Sequence, residues 1–177
     1  NICNDLDFYL DNLSIGTNIL LGARKSKVKN VLNLGSSCMY PANTNKKLKE
    51  TDLMKGELEK TNDCYAIAKI AGIKMCESLN SQKGFDCISL MPTNLYGPGD
   101  NYNKNESHVV ASLIRKFAEA KKDKSQSVLC WGSGNPMREF LHVDDLGDAI
   151  IFALENWDPR DNNAPKDVNG NPLYFLN

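Results

Sequence analysis

Asn62-Asp63-Cys64-Tyr65-Ala66-Ile67-Ala68-Lys69, running on to Ser81 and followed by Cys87-Ile88-Ser89-Leu90-Met91, is the stretch on which the fold turns. From Asn62 to Ser81 apolar residues recur at three- and four-residue spacing, which predicts a helix. Cys87 to Met91 is apolar but too short for one and is preceded by Gly84, so it reads as a buried strand. Upstream, Val31-Leu32-Asn33-Leu34 has the same strand character, giving strand, helix, strand. Helical periodicity also covers Leu6 to Arg24, Ser107 to Lys121 and Val143 to Asn156, and strand-like runs cover Ser127 to Trp131 and Leu173 to Leu176. Helices and strands therefore alternate along the whole chain. That order predicts an α/β fold, a parallel sheet covered by helices, with ligands at the carboxyl ends of the strands. The connections Pro41 to Thr61, Pro92 to Glu106 and Gly132 to Phe140 leave those ends and are long enough to carry function.

The chain has 177 residues, enough for one domain with its own core. Its 21 basic and 22 acidic side chains leave a net charge of -1, without the Lys and Arg excess of a nucleic-acid binder. The longest apolar run, Ala149 to Leu154, is far shorter than a membrane span, so no membrane partner is expected. The six cysteines form no C-x-x-C pair and only His108 and His142 could join them, so no metal site is expected. They read as reduced thiols of a soluble, cytoplasmic protein. The first residues, Asn1 to Asp5, are not a secretory signal and lack an initiator Met, which suggests a piece of something longer.

Tyr65 and Lys69 stand four apart on the predicted helix, with small residues between them, so their side chains share a face. A free Tyr titrates near pKa 10, and a neighbouring ammonium favours its phenolate. Such a pair can move a proton at an alcohol or sugar oxygen while hydride transfers. Taken alone, the pair also fits an ordinary amphipathic helix. Ser36 follows the first strand at the sheet's carboxyl edge, where it can hydrogen-bond a substrate oxygen or simply complete a turn.

Gly35-Ser36-Ser37-Cys38-Met39-Tyr40-Pro41, Asn62 to Ala71, Pro92-Thr93-Asn94-Leu95-Tyr96-Gly97-Pro98, Ser107-His108-Val109 and Trp131 to Asp145 resemble the extended short-chain dehydrogenase/reductases that act on nucleotide sugars, the NAD-dependent epimerase/dehydratase family. The resemblance covers most of residues 31 to 145. Its Tyr/Lys and Arg-x-Phe-x-x-Val-Asp-Asp elements are widely shared, and Ser-Ser-Cys with Ser-His-Val is more specific. It implies a partial Rossmann-type doubly wound parallel sheet without its N-terminal βαβ units, plus part of a smaller substrate-binding domain. Residues 1–100 would be the C-terminal half of the NADP-binding domain, and 101–177 mostly substrate-binding with some elements returning to the sheet.

The implied activity is conversion of GDP-4-keto-6-deoxy-D-mannose to GDP-L-fucose by 3,5-epimerisation and NADPH-dependent 4-reduction. Catalysis falls to Tyr65, Lys69, Ser36, Cys38 and His108, with Cys38 and His108 exchanging the carbon-bound protons. Leu34, Gly35, Ser36, Ser37, Tyr65, Lys69, Pro92, Thr93, Asn94, Leu95 and His108 would bind NADP. Lys116, Trp131 and Arg138 would hold the GDP-sugar, Arg138 by a two-pronged grip on diphosphate. At position 116 the family carries Arg, and Lys keeps the charge without the fork. Ser107 is expected to cap the helix beginning at His108. Helices around 5–26 and 62–82 would form a homodimer. None of the 12 glycines supplies the Gly-rich phosphate turn such an enzyme needs, so the 177-residue stretch is expected to be inactive by itself. A nucleotide-sugar 4-epimerase or dehydratase using NAD, or a non-catalytic interaction module, are the competing readings.

Overall fold

The computed structural model describes residues 6–42, 44 and 46–177, so Cys3, one of the six expected reduced thiols, lies outside the described residues. The described residues divide into two compact units, those up to Pro92 together with Asp148–Asn177, and Thr93–Gly147.

The first unit is built on a parallel sheet. Helix α1 (Leu6–Lys25) precedes strand β1 (Asn30–Leu34), helix α2 (Asp63–Lys83) connects it to β2 (Asp86–Leu90), and β5 (Phe175–Leu176) completes the order β1-β2-β5. β1 pairs with β2 from Asn30↔Asp86 to Leu34↔Leu90, and β2 with β5 at Ser89↔Phe175 and Leu90↔Leu176. The central strand β2 shows why the sheet is covered on both faces. Cys87 joins Leu20, Cys76 and Leu79 of α1 and α2, whereas Ile88 and Leu90 pack with Ala153 of helix α4 (Val143–Asn156). Alternation along one strand thus feeds two helical layers. A further cluster, Met39, Tyr40, Ile73, Met91 and Phe175, seals the carboxyl end of the sheet. α2 begins with Asp63 in its first turn, where a carboxylate suits the helix dipole, and stops at Gly84, whose φ of 58° lets its N–H reach the carbonyls of Asn80 and Leu79.

In the second unit β3 (Asn94–Tyr96) and β4 (Phe140–His142) pair in parallel from Asn94↔Phe140 to Tyr96↔His142, flanking helix α3 (Val109–Lys122) in sequence. α4 starts directly after β4, and His142 Nδ1 accepts the Asp144 N–H at 3.3 Å, so that histidine works as a helix cap. Its ring meets Tyr96 edge-on, with centroids 5.3 Å apart.

All four expected helices form, within two residues of their anticipated bounds. The expected strand Ser127 to Trp131 does not: the segment is irregular, and its largest apolar side chains are exposed, Leu129 by 78% and Trp131 by 81%. Without a face to bury, that run has no sheet to join. Helix α3 is capped by His108 rather than Ser107, and the His108 side chain makes no capping hydrogen bond.

Candidate functional site

In the first unit the expected residues gather where β1 ends. Ser36 is extended (φ -162°, ψ 147°), and its Oγ accepts the Cys38 N–H at 3.4 Å, opening a single 3-10 turn over Ser37–Met39. The carboxyl ends of the two strands are laced together by Gly35 N–H to the Leu90 carbonyl (2.8 Å) and Ser37 N–H to the Pro92 carbonyl (3.1 Å). A Cβ on Gly35 would lie 2.6 Å from Met39 Cε and 3.3 Å from the Leu90 oxygen, so a larger residue there would have to displace the end of the Met39 side chain. The main chain of Leu34 to Ser37 is therefore fixed at the sheet edge.

From α2, Lys69 reaches the same place. Its Nζ donates to the Leu34 carbonyl at 3.1 Å and lies 5.6 Å from the centroid of the Tyr65 ring. The helical spacing does what it was expected to do: it presents ammonium and phenol together. Burial pulls the Lys69 pKa below its ordinary value, and the charge of Cys38 opposes that shift. Cys38 is half-buried and close enough to feel the ammonium. The Tyr65 ring also rests against Phe8 of α1, centroids 5.8 Å apart.

The second unit carries the remaining candidates. His108 and Arg138 line one small cavity together with Asn94, Leu95, Val109, Val110 and Phe140. Arg138 is exposed, its Nη1 donating to the Met137 carbonyl at 2.8 Å. Thr93 and Asn94 point their side chains at one acceptor: Thr93 Oγ1 and Asn94 Nδ2 donate to the Glu139 carbonyl at 2.8 and 3.1 Å, immediately beside Arg138. This double grip was not legible in the sequence, since nothing there pairs positions 93 and 139. Lys116 Nζ lies 4.4 Å from the centroid of the Trp131 ring and donates to the Leu129 carbonyl at 3.1 Å. It thus holds an otherwise exposed tryptophan by a cation–π contact. The adjacent Arg115 is tied to Glu119 at 2.9 Å instead.

A carboxyl-edge site on a parallel sheet, with Tyr and Lys one helical turn apart, defines a class, and residues 1–169 match the NAD dependent epimerase/dehydratase family. The chain belongs to that family. Among curated relatives it is 53% identical over 152 residues to a probable GDP-L-fucose synthase 1 of Oryza sativa subsp. japonica, covering 85% of this chain and 46% of that protein. It is 52% identical over 149 residues to the GDP-L-fucose synthase of Escherichia coli (strain K12), covering 84% of this chain and 46% of that one. The chain thus spans about half the length of the curated relatives it matches. Among solved structures, the GDP-mannoheptose C4 reductase MlghC of Campylobacter jejuni with NADP bound superposes with a TM-score of 0.79 at 34% identity, over 95% of this chain and 60% of that one. A GDP-L-fucose synthetase of Naegleria fowleri bound to NADP gives 0.76 at 29% identity, over 85% and 50%. The fold is accordingly Rossmann-type.

Proposed function

We propose that the full-length protein carrying this sequence converts GDP-4-keto-6-deoxy-D-mannose to GDP-L-fucose, epimerising C3 and C5 and then reducing C4 with NADPH. The observation that carries this reading is the convergence of Tyr65, Lys69, Ser36 and Cys38 on the carboxyl end of β1, with Lys69 bonded to the Leu34 carbonyl. Curated relatives about half identical to this chain are named for that activity.

The residues suit both steps. Protons next to a ketone become removable when hydrogen-bond donors stabilise the enolate oxygen, a task for Tyr65 and Ser36 at the C4 oxygen. Inversion needs one group to take a proton and another to return one to the opposite face, which Cys38 and His108 provide. In the reduction Tyr65 donates the proton to the C4 oxygen, and Lys69 keeps the phenol acidic enough to do so. NADPH, when bound, supplies the hydride. In the first unit the Leu34 to Ser37 main chain, tied to β2 and with the Lys69 ammonium beside it, suits the polar groups of such a dinucleotide, and Tyr65 and Pro92 belong with it; Thr93, Asn94, Leu95 and His108 are the second unit's candidates. Residues 1–100 then contribute to the cofactor domain. Residues 101–177 contribute mostly to the substrate side, where Lys116, Trp131 and Arg138 hold the GDP-sugar.

We infer a cytoplasmic homodimer joined through α1 and α2. No helix among the described residues is long and apolar enough to cross a membrane, and the five described cysteines form no disulfide with one another. In the full-length protein, Tyr65→Phe is expected to slow NADPH oxidation about 10²–10⁴-fold, the range for losing a positioned acid. Affinity for GDP should stay intact in that variant. Unchanged turnover would remove Tyr65 from the mechanism.

A further inference from the structure

Beneath the catalytic helix lies a pair of thiols that the proposed reaction does not use. Cys76 of α2 and Cys87 of β2 are both fully buried, and Cys87 Sγ donates to Cys76 Sγ at 2.8 Å. A disulfide needs the sulfurs at about 2.05 Å, so closure asks for a shift of under about 1 Å. The two residues sit on separate elements that are already packed together, with Leu20 and Leu79 around them and Ser89 beside them on the same strand face. The Asn80 side chain fixes the Cys87 carbonyl from the helix at 2.5 Å. The hydrogen bond gives the two sulfurs different parts to play. Cys76 accepts, and the Cys87 donor holds its thiol below the ordinary range; Cys87 keeps its proton, pushed up by that bond and by burial.

We propose that Cys76 and Cys87 form an oxidation site: hydrogen peroxide converts them to a reversible disulfide that fastens α2, the helix carrying Tyr65 and Lys69, to the central strand. The Cys76 thiolate attacks one peroxide oxygen. The S–O bond forms as O–O breaks, and the departing hydroxide takes a proton to become water. Cys87 then loses its proton and attacks the Cys76 sulfenic sulfur, expelling a second water. The two sulfurs together give up two electrons and peroxide accepts them. Burial selects the oxidant, since a small neutral peroxide penetrates where a disulfide peptide such as oxidised glutathione does not.

The test uses the full-length protein treated with hydrogen peroxide, unfolded in an alkylating agent and digested with trypsin. The expected product joins residues 75–83 to 84–104 and is about 2 Da lighter than the two peptides together, apart from methionine oxidation. It should vanish on reduction with dithiothreitol and in Cys76→Ser or Cys87→Ser proteins that keep the parent circular dichroism spectrum. It should persist in Cys130→Ser, and the oxidised parent should melt at a higher temperature than the reduced one. Alkylation of both Cys76 and Cys87 after peroxide treatment, with the oxidation falling on Cys38, Cys64 or Cys130, overturns the proposal without needing any variant to fold.

Discussion

Lys69 is where stability and chemistry pull in different directions. Its ammonium is half-buried, bonded to one carbonyl and set beside the Tyr65 ring, and burial lowers its pKa from 10.5. Between that lowered value and 10.5 the folded state binds fewer protons than the unfolded chain, so this group makes stability rise with pH there. Below the lowered value the cost of burying the charge is fully present. Replacing Lys69 by Met removes this dependence. Denaturant titrations of parent and Lys69→Met are therefore expected to shift in the parent's favour as pH rises from 7 toward 10.5; a difference independent of pH contradicts the assignment. Cys38 is separable from the reduction. In Cys38→Ser, solvent deuterium should enter C3 and C5 of the GDP-sugar far more slowly, because a hydroxyl is a much weaker base than a thiolate, while Tyr65 and Lys69 stay in place and Lys69 loses only the charge of Cys38. Incorporation at the parent rate argues against Cys38 as a proton carrier.

Among the elements, the joint between β3, β4 and α4 leaves no room for a side chain at Gly97. Gly97 has a φ of 156°, and a Cβ there would meet Val143 Cγ2 at 2.6 Å, on a β-branched side chain with little freedom to turn away. Gly97→Ala should destabilise by about 1–3 kcal/mol, the usual range for overpacking. Its chemical denaturation midpoint measures this. The helices were legible because their apolar periodicity is long and each buries a face, as Leu20, Ile73 and Ala153 do. β3 and β4 escaped notice because three residues are too few to show alternation, and their pairing joins positions more than 40 residues apart. The expected strand Ser127 to Trp131 is absent for the opposite reason: apolar composition resembles a buried strand, but nothing in the sequence reveals that Leu129 and Trp131 face solvent. The meeting of Tyr65 and Lys69 needs only local spacing and is legible in the sequence; the Thr93 and Asn94 grip on Glu139 and the Lys116–Trp131 contact depend on tertiary placement and are not.

For the whole molecule, α1 packs against α2 and leaves Leu6, Leu10, Ile15, Ile19 and Leu21 exposed, with Ile67 exposed on α2. Ile15 and Ile19 lie one turn apart, 58% and 59% exposed, on a face a second copy can cover. The proposed dimer is then expected to sediment as a dimer in the parent and as a monomer in Ile15→Glu combined with Ile19→Glu; equal masses for the two argue against this face as its interface. The central claim concerns the chemistry. Incubating the full-length protein with GDP-4-keto-6-deoxy-D-mannose and NADPH, and following NADPH absorbance alongside the sugar product by NMR, tests it most directly. Stoichiometric NADPH loss with formation of GDP-L-fucose is the predicted result; a C4-reduced sugar with unchanged C3 and C5 configuration, or no NADPH consumption, contradicts it.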